Sequence, residues 1–144
     1  MGYAIRLFCT VPFSTLVPLQ AQMIQRGFQV RPVGTNQLDI FYDRNQPPIT
    51  ADLMDATLSE TGQQIADFLE AVSDLDDSSE KTLVLDVLAR TQALVIIGVS
   101  GDGSDAFNAA LDNILDVVGN SAEGLFQVDG EGFYEGGSLI LPLK

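Results

Sequence analysis

The sequence contains no histidine and a single cysteine, Cys9. The absence of histidine excludes Ser-His-Asp and Cys-His catalysis and every metal site with an imidazole ligand. One cysteine cannot form an internal disulfide, a thiolate zinc site or an iron–sulfur site. Only two lysines, Lys81 and Lys144, could serve in a Schiff base or a Ser-Lys pair. We therefore expect a protein that is not an enzyme and uses no cofactor.

Long apolar runs are also missing, the longest being Ala93 to Val99. A membrane-spanning helix needs roughly 20 predominantly apolar residues. Pro12 and Pro18 interrupt the segment that could act as the apolar part of a signal peptide. A single cysteine is typical of a reducing compartment. These features predict a cytoplasmic protein that does not contact a membrane.

Basic residues are few and unevenly placed in a chain whose net charge is −13. Residues 1–44 hold two acidic and four basic residues, a net charge of +2, whereas residues 45–144 hold eighteen acidic and three basic residues, a net charge of −15. Phosphate backbones would be repelled, so we expect no nucleic-acid binding. Cationic partners would be attracted. The charge predicts a cationic protein partner, and the alternative is that it serves solubility alone. The oligomeric state is unknown from the sequence.

The first part of the chain reads as strand, helix, strand, strand. Apolar and polar residues alternate from Tyr3 to Val11, which predicts a strand with Cys9 on its apolar face as an inert core residue. A helix from Ser14 to Arg26 follows, with Ser14 as its cap. Residues 28–33 and 38–43 then read as two strands.

The middle of the chain has helical spacing. Apolar residues recur at intervals of three and four from Thr50 to about Leu75, and again from Lys81 to about Thr91. No strand is predicted in this segment. We interpret residues 45–91 as a helical insert.

The first order of elements then returns. Ala93 to Val99 is apolar on both faces, as a strand at the centre of a covered sheet would be. Ser104 begins a helix that Gly119 should end, and strands follow at residues 124–128 and 138–143.

The predicted fold is therefore α/β within a single domain of 144 residues. Residues 1–44 and 92–144 form two copies of one strand-helix-strand-strand module, and both contribute to a mixed or antiparallel sheet. The helical insert lies between the copies.

Two surface features are candidate partner-binding sites. Asp105, Asp112 and Asp116 fall within about 20° of one line on a helix, opposite its apolar stripe. Phe133 and Tyr134 lie in the glycine-rich segment 129–137, where an exposed aromatic pair could anchor a partner. Two alternatives remain, that the aspartates only add solubility and that Phe133 closes the core.

The segment Gly98 to Asp105 connects a buried strand to a helix. It lacks the lysine of a phosphate-binding loop and the spacing of a dinucleotide fingerprint. Asp102, Ser104 and Asp105 carry the oxygen ligands that a hard cation prefers, although a tight turn with a helix cap explains them equally. The identity of any metal is unknown from the sequence.

Three classes of function remain open. The favoured class is a non-catalytic acidic interaction or regulatory module, for example an inhibitor that masks a basic surface of its partner. The second is a small-molecule or cation sensor that binds between the two modules. The third is a carboxylate-dependent enzyme, for which Glu131 and Glu135 are the nominated acid and base.

Overall fold

The structure of the protein is a computed structural model that describes residues 2–12, 15–55, 57–99 and 104–143. Within them the chain forms eight strands and four helices. The strands are β1 (Tyr3–Cys9), β2 (Gln29–Val33), β3 (Gln37–Phe41), β4 (Ile49–Asp55), β5 (Ala93–Val99), β6 (Gly124–Val128), β7 (Gly132–Glu135) and β8 (Ser138–Pro142). The helices are α1 (Val17–Gln25), α2 (Ser59–Ser73), α3 (Ser79–Ala89) and α4 (Asp105–Ser121).

All eight strands join in one antiparallel sheet, in the order β2-β3-β4-β5-β1-β6-β7-β8. The α/β class and the antiparallel sheet are as predicted. β5 and β1 lie at its centre, where Leu7 pairs with Val95 and Cys9 with Ala93. A central strand is buried on both faces, and this explains why β5 is apolar throughout.

The helices pack on both faces of the sheet. α1 and α4 cover one face, where they bury Ile5, Leu7 and Cys9 of β1. α2 and α3 cover the opposite face, where Phe8 packs with Val72 and Val84. β1 thus presents alternate residues to two cores, as its alternating sequence predicts. None of the described helices is both long enough and apolar enough to cross a membrane.

Arg6 is the one charged residue of β1, and its side chain lies between the sheet and α2. Its guanidinium donates hydrogen bonds to Gln64 at 2.9 Å, to Gln127 at 2.8 Å and to Asp129 at 2.6 Å. It also lies 5.2 Å from the centre of the Phe68 ring. Because withdrawing a cation from water is costly unless it is paired, these partners allow the Arg6 side chain to be partly buried between the sheet and α2.

The predicted helices at the two ends of the chain are present. α1 carries Pro18 in its first turn, and Gly27 follows it with a φ of +93°. Ser104 caps α4 by accepting a hydrogen bond of 3.2 Å from the Phe107 backbone N–H. Ser14, the predicted cap of α1, lies outside the described residues.

The prediction that residues 45–91 are purely helical is wrong at the start of this segment, because β4 occupies residues 49–55. Ile49, Ala51 and Leu53 are buried, whereas Thr50 and Asp52 between them are half-buried. This is the two-residue period of a strand, but a run of seven residues also fits helical spacing. Pairing with β3 on one side and β5 on the other decides in favour of a strand.

A second strand, β7, was also not predicted and lies in the glycine-rich segment 129–137. Gly119 does not end its helix, since α4 continues to Ser121. A Cβ atom on Gly119 would lie 3.2 Å from the ring of Phe126. The glycine therefore allows the sheet to approach the helix closely at this point.

The duplication is not confirmed. Each half has the order strand, helix and three strands, one strand more than predicted. The first strand after the helix is β2 in one half, at the outer edge of the sheet, and β6 in the other, next to β1. The two halves thus place corresponding strands differently.

Candidate functional site

The two helix pairs cover opposite faces of the sheet and are offset from each other across it. The core under α1 and α4 is formed mainly with β3, β4, β5 and β1, and Phe126 and Val128 of β6 pack at its margin. The core under α2 and α3 is formed with β5, β1, β6, β7 and β8, and Met54 of β4 packs at its margin. On the α4 side this leaves a groove of about 630 Å³ between α4 and strands β1, β6 and β7. We call it the α4 groove. Its volume is within the roughly 300–1,000 Å³ of typical ligand sites.

The floor of the α4 groove is apolar. Leu115 of α4 and Phe126 and Val128 of β6 are half-buried there, and Ile5 and Leu7 of β1 lie beneath. Gly119 of α4, which approaches the Phe126 ring closely, also lines the groove.

The rim of the α4 groove is acidic. Asp112 and Asp116 of α4 and Glu131 before β7 line it. Asp116 accepts a hydrogen bond of 2.7 Å from Arg26 of α1, so its charge is partly compensated. Within the described part of the chain, no hydrogen bond or ion pair reaches the Asp112 carboxylate. Asp112 therefore presents an uncompensated negative charge to the groove.

Two tyrosines lie on the same rim as Glu131. The Tyr134 hydroxyl donates a hydrogen bond to the Glu131 carboxylate, and this bond raises the pKa of Tyr134. Tyr3 is 40% exposed, and burial of its hydroxyl together with the nearby charge of Glu131 raises its pKa. Both hydroxyls therefore stay protonated at neutral pH. The two rings and the carboxylate form a surface suited to a cationic group, which aromatic faces and carboxylates both attract.

The structure brings together three of the five predicted partner-binding residues. Asp112, Asp116 and Tyr134 line the α4 groove, and the aspartates face away from the apolar stripe of α4 as predicted. Asp105 is exposed in the first turn of α4 and does not line the groove.

Of the two alternatives for Phe133, the exposed aromatic pair is wrong, because Phe133 is fully buried. Its ring centre lies 6.0 Å from that of Phe8 and 6.0 Å from that of Phe68, in the core under α2. Adjacent residues of a strand point to opposite faces, so Tyr134 lies on the groove side while Phe133 closes the core. Phe133 is not available to a partner in this structure.

The predicted cation site at Asp102, Ser104 and Asp105 gains no support from the structure. Asp102 lies outside the described residues. The Ser104 hydroxyl acts as the cap of α4, and Asp105 lies where a negative charge favours a helix N-terminus. Among the residues that the structure describes, no three His, Cys, Asp or Glu side chains are grouped as a metal site would require.

Several groove residues were not predicted from the sequence. Tyr3 was predicted only as the start of a strand, and Phe126 and Val128 only as part of the strand at residues 124–128. Their alternation marks them as apolar on one side, but it does not show that α4 stops short of covering them. Glu131 was nominated only as an acid or base.

Comparisons of the chain with protein-family models, with curated proteins and with solved structures found no match. Its function is therefore inferred from the chemistry of its own residues.

Proposed function

We propose that the protein is a non-catalytic acidic interaction module and that its α4 groove binds a basic segment of a protein partner. The observation that carries this proposal is the combination of an apolar floor with an acidic rim on which Asp112 has no compensating charge among the described residues. A segment with arginine or lysine next to an apolar side chain complements both parts.

The two parts of the groove have different tasks. The net charge of −15 on residues 45–144 increases the rate at which a cationic partner arrives. Burial of apolar side chains on Leu115, Phe126 and Val128 then supplies affinity. The Tyr3 and Tyr134 rings offer a cationic side chain a place to stack beside Glu131.

The experiment uses a short synthetic peptide in which arginine alternates with leucine and phenylalanine, titrated into the ¹⁵N-labelled protein. We expect chemical-shift changes at the backbone amides of Leu115, Phe126 and Val128. Replacing Asp112 and Asp116 together with asparagine should weaken binding about threefold to tenfold at low salt, because exposed charge pairs contribute up to about 1 kcal/mol each. The same change should flatten the salt dependence.

The matched control replaces Asp74 and Asp76 with asparagine. These two residues are exposed at the end of α2, away from the α4 groove, and the change in net charge is identical. Binding should then change by less than about twofold. Equal weakening in both double variants would mean that only net charge matters, and a glutamate version of the peptide that binds equally well would refute the proposal.

A second candidate function, a sensor of a small organic cation, is favoured by the volume of the α4 groove. Free arginine or a polyamine that binds the groove as tightly as the peptide would support it. The third class, a carboxylate-dependent enzyme, has less support, because Glu131 lines the groove and Glu135 does not.

A further inference from the structure

The face of the sheet that α2 and α3 cover also has a part that lies beyond these helices. The core under α2 and α3 extends from β5 towards β8, and of β3 and β4 it includes only Met54, at its margin. A shallow depression of about 440 Å³ lies there, between the β2–β3 turn and the start of α2. We call it the β4 depression.

The lining of the β4 depression combines exposed apolar side chains with polar side chains from the β2–β3 turn and the start of β3. Val33, at the end of β2, is 41% exposed, and Leu58, before α2, is 48% exposed. Half-buried Met54 and Ile96 lie between them. Exposed apolar side chains that converge on one depression are typical of an interaction site, whereas scattered ones are ordinary.

A carboxylate, that of Asp52, lines the same depression. Asp52 pairs with Gln37 on one side and with Ile96 on the other, in the registers of β4 with β3 and with β5. It is half-buried, and within the described part of the chain no hydrogen bond or ion pair reaches it. Burial and the nearby charge of Asp39 raise the pKa of Asp52.

The charge of Asp39, on the neighbouring strand β3, is compensated, unlike that of Asp52. It is 6% exposed and accepts a hydrogen bond of 2.6 Å from Arg31. Arg31 therefore pairs with Asp39, and among the described residues no ion pair reaches Asp52. Glu60, at the start of α2, adds a second carboxylate to the edge of the depression.

We propose that the β4 depression is a second docking surface, where an arginine or lysine side chain of a partner protein pairs with Asp52 while a flanking apolar residue covers Val33 and Leu58. A cationic partner complements the carboxylates of Asp52 and Glu60, whereas a second copy of this chain, with its net charge of −13, would be repelled. The depression and the α4 groove lie on opposite faces of the sheet. The protein thus binds two basic segments at once, and this surface does not depend on the groove.

The test uses the same arginine, leucine and phenylalanine peptide. Calorimetry should give two peptides per chain, and the amides of Val33, Asp52 and Ile96 should shift as a set separate from those of the groove. In the protein with Asp52→Asn and Leu58→Ser, this set should bind at least about threefold more weakly, while the groove set keeps its affinity.

The matched control is Leu139→Ser on β8, which alters a side chain of similar exposure, 44%, away from both surfaces. It should change neither set. Shifts confined to the α4 groove, or a stoichiometry of one with the β4 amides unmoved, would overturn the second surface while leaving the groove intact. Shifts at the β4 depression alone would support it and overturn the groove, and no shift at either would overturn both. Dispersed spectra of each variant confirm that it is folded.

Discussion

The guanidinium of Arg26, just after the last turn of α1, donates a hydrogen bond of 2.7 Å to the Asp116 carboxylate of α4. The same group donates a second bond, of 3.2 Å, to the Asn113 side chain. Asp112 and Asp116 are one helical turn apart, and like charges at that spacing repel. Arg26 offsets this repulsion from a neighbouring helix and joins α1 to α4 beside the groove.

We expect this ion pair to contribute little to stability. Arg26 and Asp116 are 36% and 55% exposed, and exposed pairs contribute about 0.2–1 kcal/mol. A double-mutant cycle with Arg26→Gln and Asp116→Asn, followed by urea denaturation, should give a coupling free energy within this range that decreases in salt. A coupling above about 2 kcal/mol would contradict the prediction, because only a desolvated pair reaches that value.

The Cys9 thiol should make the protein less stable at alkaline pH. Cys9 is fully buried, and burial raises the pKa of its thiol to about 12. Above about pH 8.5 an unfolded chain loses the thiol proton, while the native chain keeps it. The native state then binds more protons, so its stability falls as pH rises from about 8.5 towards 12, by up to about 1.4 kcal/mol per pH unit.

The control for this prediction is Cys9→Ala, which removes the thiol at a cost of about 1 kcal/mol at neutral pH. The free energy of unfolding of the variant should fall less steeply between pH 8.5 and 10.5 than that of the parent. Tyr3 and Tyr134 titrate in both proteins, so the difference isolates Cys9. Parallel pH profiles of the free energy of unfolding in the two proteins would contradict the raised pKa of Cys9. In the parent, a thiol reagent should modify Cys9 slowly at neutral pH and rapidly in denaturant.

Gly132 of β7 should not tolerate a side chain. Its φ is +138°, and a Cβ atom would lie 2.2 Å from the Leu141 carbonyl oxygen. Backbone strain together with this clash should make Gly132→Ala less stable by more than about 2 kcal/mol. Urea denaturation should show a lower midpoint with an unchanged slope.

Gly137 is the matched control, since nothing lies within 4 Å of the position that its Cβ would occupy. Gly137→Ala should change the free energy of unfolding by no more than about 0.5 kcal/mol. If both variants unfold at the same urea concentration, the pairing of β7 with β8 is not as described.

The periodicity of the sequence was sufficient to predict which face a side chain lies on where that depends on a single strand or helix. The alternation of β1 placed Arg6 and Cys9 on opposite faces, and the structure confirms both. The apolar run of β5 predicted a strand covered on both sides, and the apolar stripe of α4 placed Asp112 and Asp116 towards solvent. These features depend on the backbone geometry of one strand or helix, which is the same in every fold.

Only the tertiary structure decided which parts of each face are covered. The sequence pattern of β4 suits a helix or a strand, and pairing with β3 and β5 selects the strand. Tyr3 and Tyr134 meet at one rim because β6 pairs with β1 and β7 with β6, over more than a hundred residues of chain. Asp52 remains partly exposed because the core under α2 and α3 does not extend over it. A periodic pattern records that a side chain is apolar or charged, but contacts between distant segments determine what lies against it.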